Sequence, residues 1–232
     1  MAVAAADNSF MIRGLFSYRL FGQTFWITTT HVALLLVVLL LTIFAWAAGR
    51  TLKRPSNVPG TFQNVVELAV EKLDQMVDGS MGVSGGKFRN YIGTIFLFIL
   101  LCNICGIFGL RSPTADYGIT LLLGLVTFFL IHFNGVRRHR ISHFAGWFQP
   151  IWLLFPINVI GDLAVPLSLS LRLFGNVMSG TVMIGLWYGL MPWFAKLGIP
   201  AFLHAYFDLF SGAIQTYVFC MLTMVYIRDK ME

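Results

Sequence analysis

Five long apolar runs dominate this chain and restrict it to folds that exist in a lipid bilayer. Hydrophobic residues make up 57% of the 232 residues and charged residues 11%, against about 25% charged in soluble domains. Backbone groups in lipid must be satisfied within each segment, which favours helices. We therefore predict an all-α polytopic membrane protein with about five membrane segments, folded as a single membrane domain (1–232). The runs are 26–49, 91–110, 119–133, 146–190 and 201–227.

The order of the runs divides the chain into six parts. The fourth run would be roughly 67 Å long as one helix at 1.5 Å per residue, so it must be broken or steeply tilted; Pro150, Pro156 and Pro166 are candidate breaks. Together, the fourth and the last run predict a long tilted helical hairpin at the C-terminal end. The predicted parts are an N-terminal segment (1–25), a first span (26–49), an amphipathic helix (58–80), a hairpin of two spans (91–136) and two long helices (144–190 and 201–228).

The segment between the first two spans has apolar residues at helical spacing and acidic residues largely on other faces. This pattern is typical of an amphipathic helix in the membrane interface or against a neighbouring protein. Its acidic face suits anionic lipid poorly, which favours a protein neighbour. The apolar positions are Phe62, Val65, Val66, Ala69, Val70, Leu73, Met76 and Val77.

Lys and Arg residues predict the orientation of the spans. Eleven of the sixteen lie in the 50–90 segment, the 137–140 turn and the C-terminal tail. Four lie on the opposite side, at Arg13, Arg19, Arg111 and Lys196. The positive-inside rule then predicts the N-terminus outside and the C-terminus in the cytoplasm.

The sixteenth basic residue, Arg172, lies inside the fourth run, far from the nearest Lys or Arg at Arg140 and Lys196. A cation at membrane depth costs about 2.5–3.5 kcal/mol on insertion scales. Such a charge is most readily explained if it acts on another charge that passes by; a structural ion pair is the alternative.

Polar residues surround Arg172 on its own helix and recur on the last one. Ser168 and Asn176 stand at i−4 and i+4, Asp162 ten residues before and Thr181 nine after. In the last run four polar residues follow one another at spacings of four, three and four. This pattern predicts a polar stripe on one face of the helix, which is typical of a proton or hydrated-ion path. Bonds to the local backbone for Ser and Thr, pairing of the two aspartates with arginine, and an interfacial place for the histidine are the structural alternatives. The stripe consists of His204, Asp208, Ser211 and Gln215.

Two other patterns predict no site. Cys102 and Cys105 form a CxxC inside an apolar run, where small buried residues are expected and an accessible thiolate is not. His139 and His143 stand at i,i+4, but a solvated loop explains them better than a metal. No metal, cofactor or nucleic acid is predicted.

The sequence PLSLSLRLFGNVMSG, followed by FDLFSGAIQTYVFCMLTMVYI, closely resembles subunit a of the bacterial rotary F-type ATP synthases. The likeness extends over most of the chain. It implies a non-catalytic stator in the bacterial plasma membrane, beside a ring of small hairpin rotor subunits and a peripheral-stalk subunit with a membrane helix. Two half-channels would carry protons or sodium ions, with Arg172 between them. Asn176 and Gln215 would match neighbouring polar positions of the family, and Asp162 an acidic position of many bacterial relatives.

Two positions depart from the family pattern. Thr181 stands where relatives often have Glu or His, and Asp208 where they often have His or an acid. The inlet relay is therefore expected around Asp208, and the coupling ion stays open. A secondary transporter of an anionic substrate is the alternative, although the inverted repeats it predicts are not evident. An intramembrane enzyme is disfavoured, because no HExxH, GxSxG or paired catalytic aspartates occur in the spans.

Overall fold

The structure, a computed structural model, describes residues 14–20, 23–53, 60–139, 152–196 and 198–231. Five helical segments in these ranges are long and apolar enough to cross a membrane, which confirms the predicted all-α polytopic class. They are Thr29–Lys53, Arg89–Phe108, Tyr117–Arg138, Trp152–Leu190 and Ile199–Asp229.

A short β-hairpin precedes the first span. Strands β1 (Gly14–Leu20) and β2 (Gln23–Thr28) pair antiparallel, and helix α1 (Thr29–Lys53) follows directly. The sequence analysis assigned no strand here, and it began the first span at Trp26, which lies in β2. The aromatic and β-branched residues of QTFWIT suit a strand better than a helix.

Helix α2 (Thr61–Met81) is the amphipathic segment. Val66, Val77 and Met81 are buried against the rest of the chain, whereas Phe62 and Val65 are exposed. Arg89 binds the C-terminal end of α2, because its Nη2 donates to both carboxylate oxygens of Asp78 at 2.7 Å. The chain thus leaves part of the apolar surface of α2 uncovered.

Helices α3 (Arg89–Ile104) and α4 (Tyr117–His139) form the central hairpin. Two short 3₁₀ turns, Cys105–Phe108 and Pro113–Ala115, connect them. Gly109 ends the first turn with φ at 70°, a left-handed conformation that glycine adopts without steric cost. Cys102 and Cys105 are buried against Val37 of α1 and are free thiols.

Helix α5 (Phe155–Leu190) contains Pro166 in its interior. Proline has no amide hydrogen, so the carbonyl of Asp162 loses its helical partner. At about 54 Å, α5 must tilt to stay within the membrane. The last span consists of α6 (Ile199–His204), a π-helical segment (Ala205–Ser211) and α7 (Gly212–Asp229).

One apolar core joins α2, α3, α4, α5 and α7. Ile92 and Ile99 of α3, Leu173 of α5 and Met224 of α7 are fully buried within it. Helix α4 approaches α5 closely at Gly124, where an added Cβ would lie 2.7 Å from the carbonyl oxygen of Pro166. This core holds α5 and α7 in fixed register, and the candidate site lies between them.

Candidate functional site

Helix α5 and the last span pack antiparallel, which brings the predicted polar residues into a series of levels. Asp162 meets Lys230 at one end, and Asn176 meets Gln215 near the middle. Tyr188 and His204 have ring centroids 6.4 Å apart at the other end.

Arg172 lies on the exposed surface of α5, one turn from Asn176. Within the described ranges, no acidic side chain or hydrogen-bond acceptor contacts its guanidinium. The exposed positions along the same stripe are small: Ala164, Ser168, Gly175 and Ser179. Small side chains permit a second helix to approach closely. Arg172 is therefore an unpaired cation on a surface of small side chains, against which a neighbouring helix can pack.

Asn176 connects the two long segments just beside Arg172. Its Nδ2 donates to Oε1 of Gln215 at 3.3 Å, and its Oδ1 accepts from Ser211 Oγ at 3.3 Å. Gln215 is only 5% exposed, yet its Nε2 has no acceptor among the described residues. A buried amide N–H group without an acceptor carries a cost in desolvation free energy. The network therefore ends in an N–H donor that a water molecule or an added carboxylate could satisfy.

His204 and Asp208 form a second cluster towards the start of the last span. His204 Nδ1 lies 2.6 Å from Asp208 Oδ2, and the Asp208 side chain is 15% exposed. The carboxylate occupies space left by the missing side chain of Gly106: a Cβ there would lie 2.6–2.7 Å from the carboxyl atoms. Gly106 is therefore part of the site, although the sequence analysis did not select it.

The π-helical segment divides the predicted stripe into two groups. Asp208 lies towards Gly106 of the α3–α4 connection, whereas Ser211 and Gln215 bond to Asn176 of α5. The α-helical spacing from which a single face was deduced does not apply through this segment, because an i→i+5 segment rotates the residues before it relative to those after it. Such segments occur frequently at functional sites.

Asp162 lies in a third cluster near the C-terminal end of the chain. Lys230 Nζ contacts its two carboxylate oxygens at 3.0 and 3.1 Å, and His132 Nε2 lies 3.6 Å from Oδ2. Pairing with arginine was the structural alternative for Asp162, and the partner from the tail is a lysine. The cluster is about 15 Å from Arg172 along α5.

Within the described ranges, no hydrogen bond joins Ser168 or Thr181 to another predicted residue. Ser168 is exposed beside Arg172. Thr181 Oγ1 donates to the carbonyl of Val177 at 2.9 Å, the local backbone bond that the sequence analysis weighed as its structural alternative.

A buried polar network on the α3–α4 connection was missed. Asn103 Nδ2 donates to the carbonyl of Gly212 at 3.0 Å and lies 3.3 Å from Thr216 Oγ1. Thr114 donates to Asn103 Oδ1 at 2.8 Å, and Ser112 lies 2.7 Å from Thr114. A single asparagine inside an apolar run is the sequence signal that could have found it. The network fixes the connection against the start of α7.

Arg111 lies in the same connection, outside the spans. Burial lowers the pKa of its guanidinium, and the nearby charge of Asp116 acts in the opposite direction. No group of three metal-binding side chains occurs in the described part of the chain. The alternative site at His139 and His143 lies outside the residues whose side chains are described.

The family model of the ATP synthase A chain matches residues 30–228, a range that includes all the candidate residues. The chain belongs to the ATP synthase subunit a family. The sequence resemblance is thereby confirmed, and a multi-pass membrane protein with an ion-translocating role in ATP synthesis follows from the family.

Individual relatives cover most of the chain. It is 38% identical over 222 residues to a protein of Propionigenium modestum named "ATP synthase subunit a, sodium ion specific", covering 88% of this chain and 74% of the relative. It is 38% identical over 202 residues to ATP synthase subunit a 1 of Syntrophotalea carbinolica, covering 85% and 83%. It is 36% identical over 208 residues to ATP synthase subunit a of Acidothermus cellulolyticus, covering 86% and 74%.

Proposed function

We propose that this chain is the stator ion channel of a rotary ATP synthase, in which Arg172 faces carboxylates on a ring of small hairpin rotor subunits. The observation that carries the proposal is the exposed, unpaired guanidinium in a stripe of small residues. A cation that costs free energy in lipid and has no anion among the described residues of its own chain calls for one from a neighbour. The shallow stripe lets a rotor helix approach.

The arginine has a physical role that other residues could not fill. A rotor carboxylate crossing the membrane centre must be ionised in a region of low dielectric, and an adjacent cation lowers the free energy of that state. Guanidinium does not lose its proton, so it also blocks direct proton transfer past it. Lysine shifts its pKa readily when buried and would serve less well.

The two carboxylate clusters support two half-channels. One would lead from the outer side through His204 and Asp208, and the other from the cytoplasm past Asp162. Each group binds and releases ions on one side of Arg172. One charge moved through 100 mV yields about 2.3 kcal/mol, too little for one ATP, so several transfers are needed for each ATP formed. A ring of repeated carboxylates supplies them.

The proposal includes an orientation and neighbours. The N-terminus would lie outside and the C-terminus in the cytoplasm, following the distribution of basic residues. A peripheral-stalk subunit with a membrane helix would complete the stator, and no catalytic site is expected on this chain. The coupling ion is open: one relative is named sodium ion specific. ATP hydrolysis by the whole complex, with and without sodium across pH, would identify the ion.

Arg172→Ala in the whole complex tests the central role. We expect ion-driven ATP synthesis to be abolished while the complex still assembles, because the rotor carboxylate then has no fixed cation to cross against. Lys196→Ala, which removes a cation from the loop before α6, is the matched control and should retain synthesis. Normal synthesis by a normally assembled Arg172→Ala complex would refute the proposal.

A further inference from the structure

A second group of cations surrounds a cleft at the opposite end of α4 from its connection to α3. The cleft has a volume of about 470 Å³ and lies between the start of α3, the end of α4 and the C-terminal tail. Both spans end here, at Arg89 and Arg138. The cleft therefore lies at the depth of the lipid headgroups. It is lined by Gly86, Lys87, Phe88, Asn134, Arg137, Arg138 and Met231.

Among the described residues, none supplies a counter-ion to the three cations of this basic cleft. Lys87, Arg137 and Arg138 are exposed, and none contacts an acidic side chain in the described ranges. By contrast, the nearby Arg89 is engaged by Asp74 and Asp78. Three like charges around one cleft repel one another unless an anion lies between them. The geometry of arginine suits a phosphate, which two N–H groups can bind together.

The surface of α4 next to the cleft indicates which kind of anion fits. Val126, Phe129 and Phe133 lead along one face of the helix to Arg137 at spacings of three, four and four. Phe129 and Phe133 are 67% and 64% exposed, and Val126 is 43% exposed. A basic cleft that continues into an apolar ridge of membrane-spanning helix fits a molecule with an anionic head and apolar chains.

We infer that the basic cleft binds the phosphate of an anionic phospholipid, whose acyl chains lie along the ridge formed by Val126, Phe129 and Phe133. Basic clefts between membrane helices are suited to such headgroups. A free phosphate would use the cations but leave the ridge unexplained. The inference is independent of the ion-translocation proposal, since among the described residues no hydrogen bond or ion pair joins the three cleft cations to the Arg172, Asp208 or Asp162 clusters.

Photo-labelling of the whole complex tests the site. The probe is phosphatidylglycerol with a diazirine in one acyl chain, and labelled residues are mapped on α4. We expect saturable labelling near Phe129 and Phe133. In the Arg137→Gln/Arg138→Gln variant the half-saturating probe concentration should rise about 30-fold, at roughly fivefold for each basic residue removed.

The matched control is Arg50→Gln/Lys53→Gln, which removes two cations from the end of α1 outside the cleft. It should leave labelling unchanged. If the arginine variant fails to assemble, Lys87→Gln provides the same test, and the half-saturating probe concentration should then rise about fivefold. It removes a cation from the short 3₁₀ helix before α3 and alters neither span.

Four results would overturn the inference. The first is that a phosphatidylcholine probe labels the site as strongly as the phosphatidylglycerol probe, and the second is that inorganic phosphate displaces the probe. The third is that the cleft variant and the control variant have the same half-saturating probe concentration. The last is that an amine-reactive reagent cross-links Lys87 to another subunit of the complex. The second would assign the cleft to a soluble anion, and the last to a protein neighbour.

Discussion

Gly106→Ala tests whether the position of the Asp208 carboxylate matters for ion movement. The new Cβ would lie 2.6 Å from Cγ and Oδ2 of Asp208, closer than real Cβ contacts, so the carboxylate must rotate away. Rotation separates it from His204, now 2.6 Å distant. A hydrogen bond to a charged group is worth about 1.5–3 kcal/mol. A loss of about 2 kcal/mol reduces the population of the paired His204–Asp208 geometry about 30-fold.

The assay is ion flux through membranes that carry the complex without its peripheral catalytic part. We expect flux to fall at least tenfold in Gly106→Ala if the His204–Asp208 pair is the outer relay, by the same conversion of free energy to population. Gly49→Ala on α1, where an added Cβ meets nothing within 4 Å, is the matched control. Assembly is measured in both variants.

A double-mutant cycle then separates a specific clash from general damage. In an Asp208→Ser background the side chain is shorter, and Gly106→Ala should produce little further change. Equal flux losses in both backgrounds would refute the reasoning, because the effect would not pass through the Asp208 carboxylate. Wild-type flux in Gly106→Ala would refute it directly.

The remaining predictions concern stability. Gly124→Ala should destabilise the complex by about 1–3 kcal/mol, because its Cβ would lie 2.7 Å from the backbone oxygen of Pro166; an unchanged thermal midpoint would show that α4 and α5 separate without cost. Lys230→Gln should make the C-terminal tail more accessible to protease, because Asp162 then loses its contacts at 3.0 and 3.1 Å, whereas Lys230→Arg should not. Equal cleavage of wild type and Lys230→Gln would show that the pair does not hold the tail.

The spans and the surroundings of Arg172 were predictable from local pattern. Long apolar runs can only be helices in lipid, so hydropathy alone locates them. The polar flanks at i±4 predicted that Ser168 and Asn176 lie beside Arg172, since helical spacing fixes neighbours on one helix. Long-range partners do not follow from spacing. The bond between Asn176 and Gln215 depends on the register of two helices, which core packing sets.

The errors have definite physical causes. The polar stripe was placed on one face on the assumption of 3.6 residues per turn throughout, whereas the segment Ala205–Ser211 is π-helical. The strands before α1 were missed because a mixed segment carries no clear period. The link between Asp162 and Lys230 was missed because it joins residues 68 positions apart. Gly106 was missed because its contribution is the absence of a side chain, which no search for chemical groups detects.

No anion lies beside Arg172 among the residues that the structure describes, and this bears on biogenesis. A newly inserted copy carries the guanidinium at membrane depth before any neighbour arrives, and about 2.5–3.5 kcal/mol remains uncompensated. A partner that binds only the folded chain returns that free energy as stability. On the proposed function, folding of the subunit and assembly of the complex are therefore one coupled equilibrium, and the isolated polypeptide is less stable than the same polypeptide in its complex.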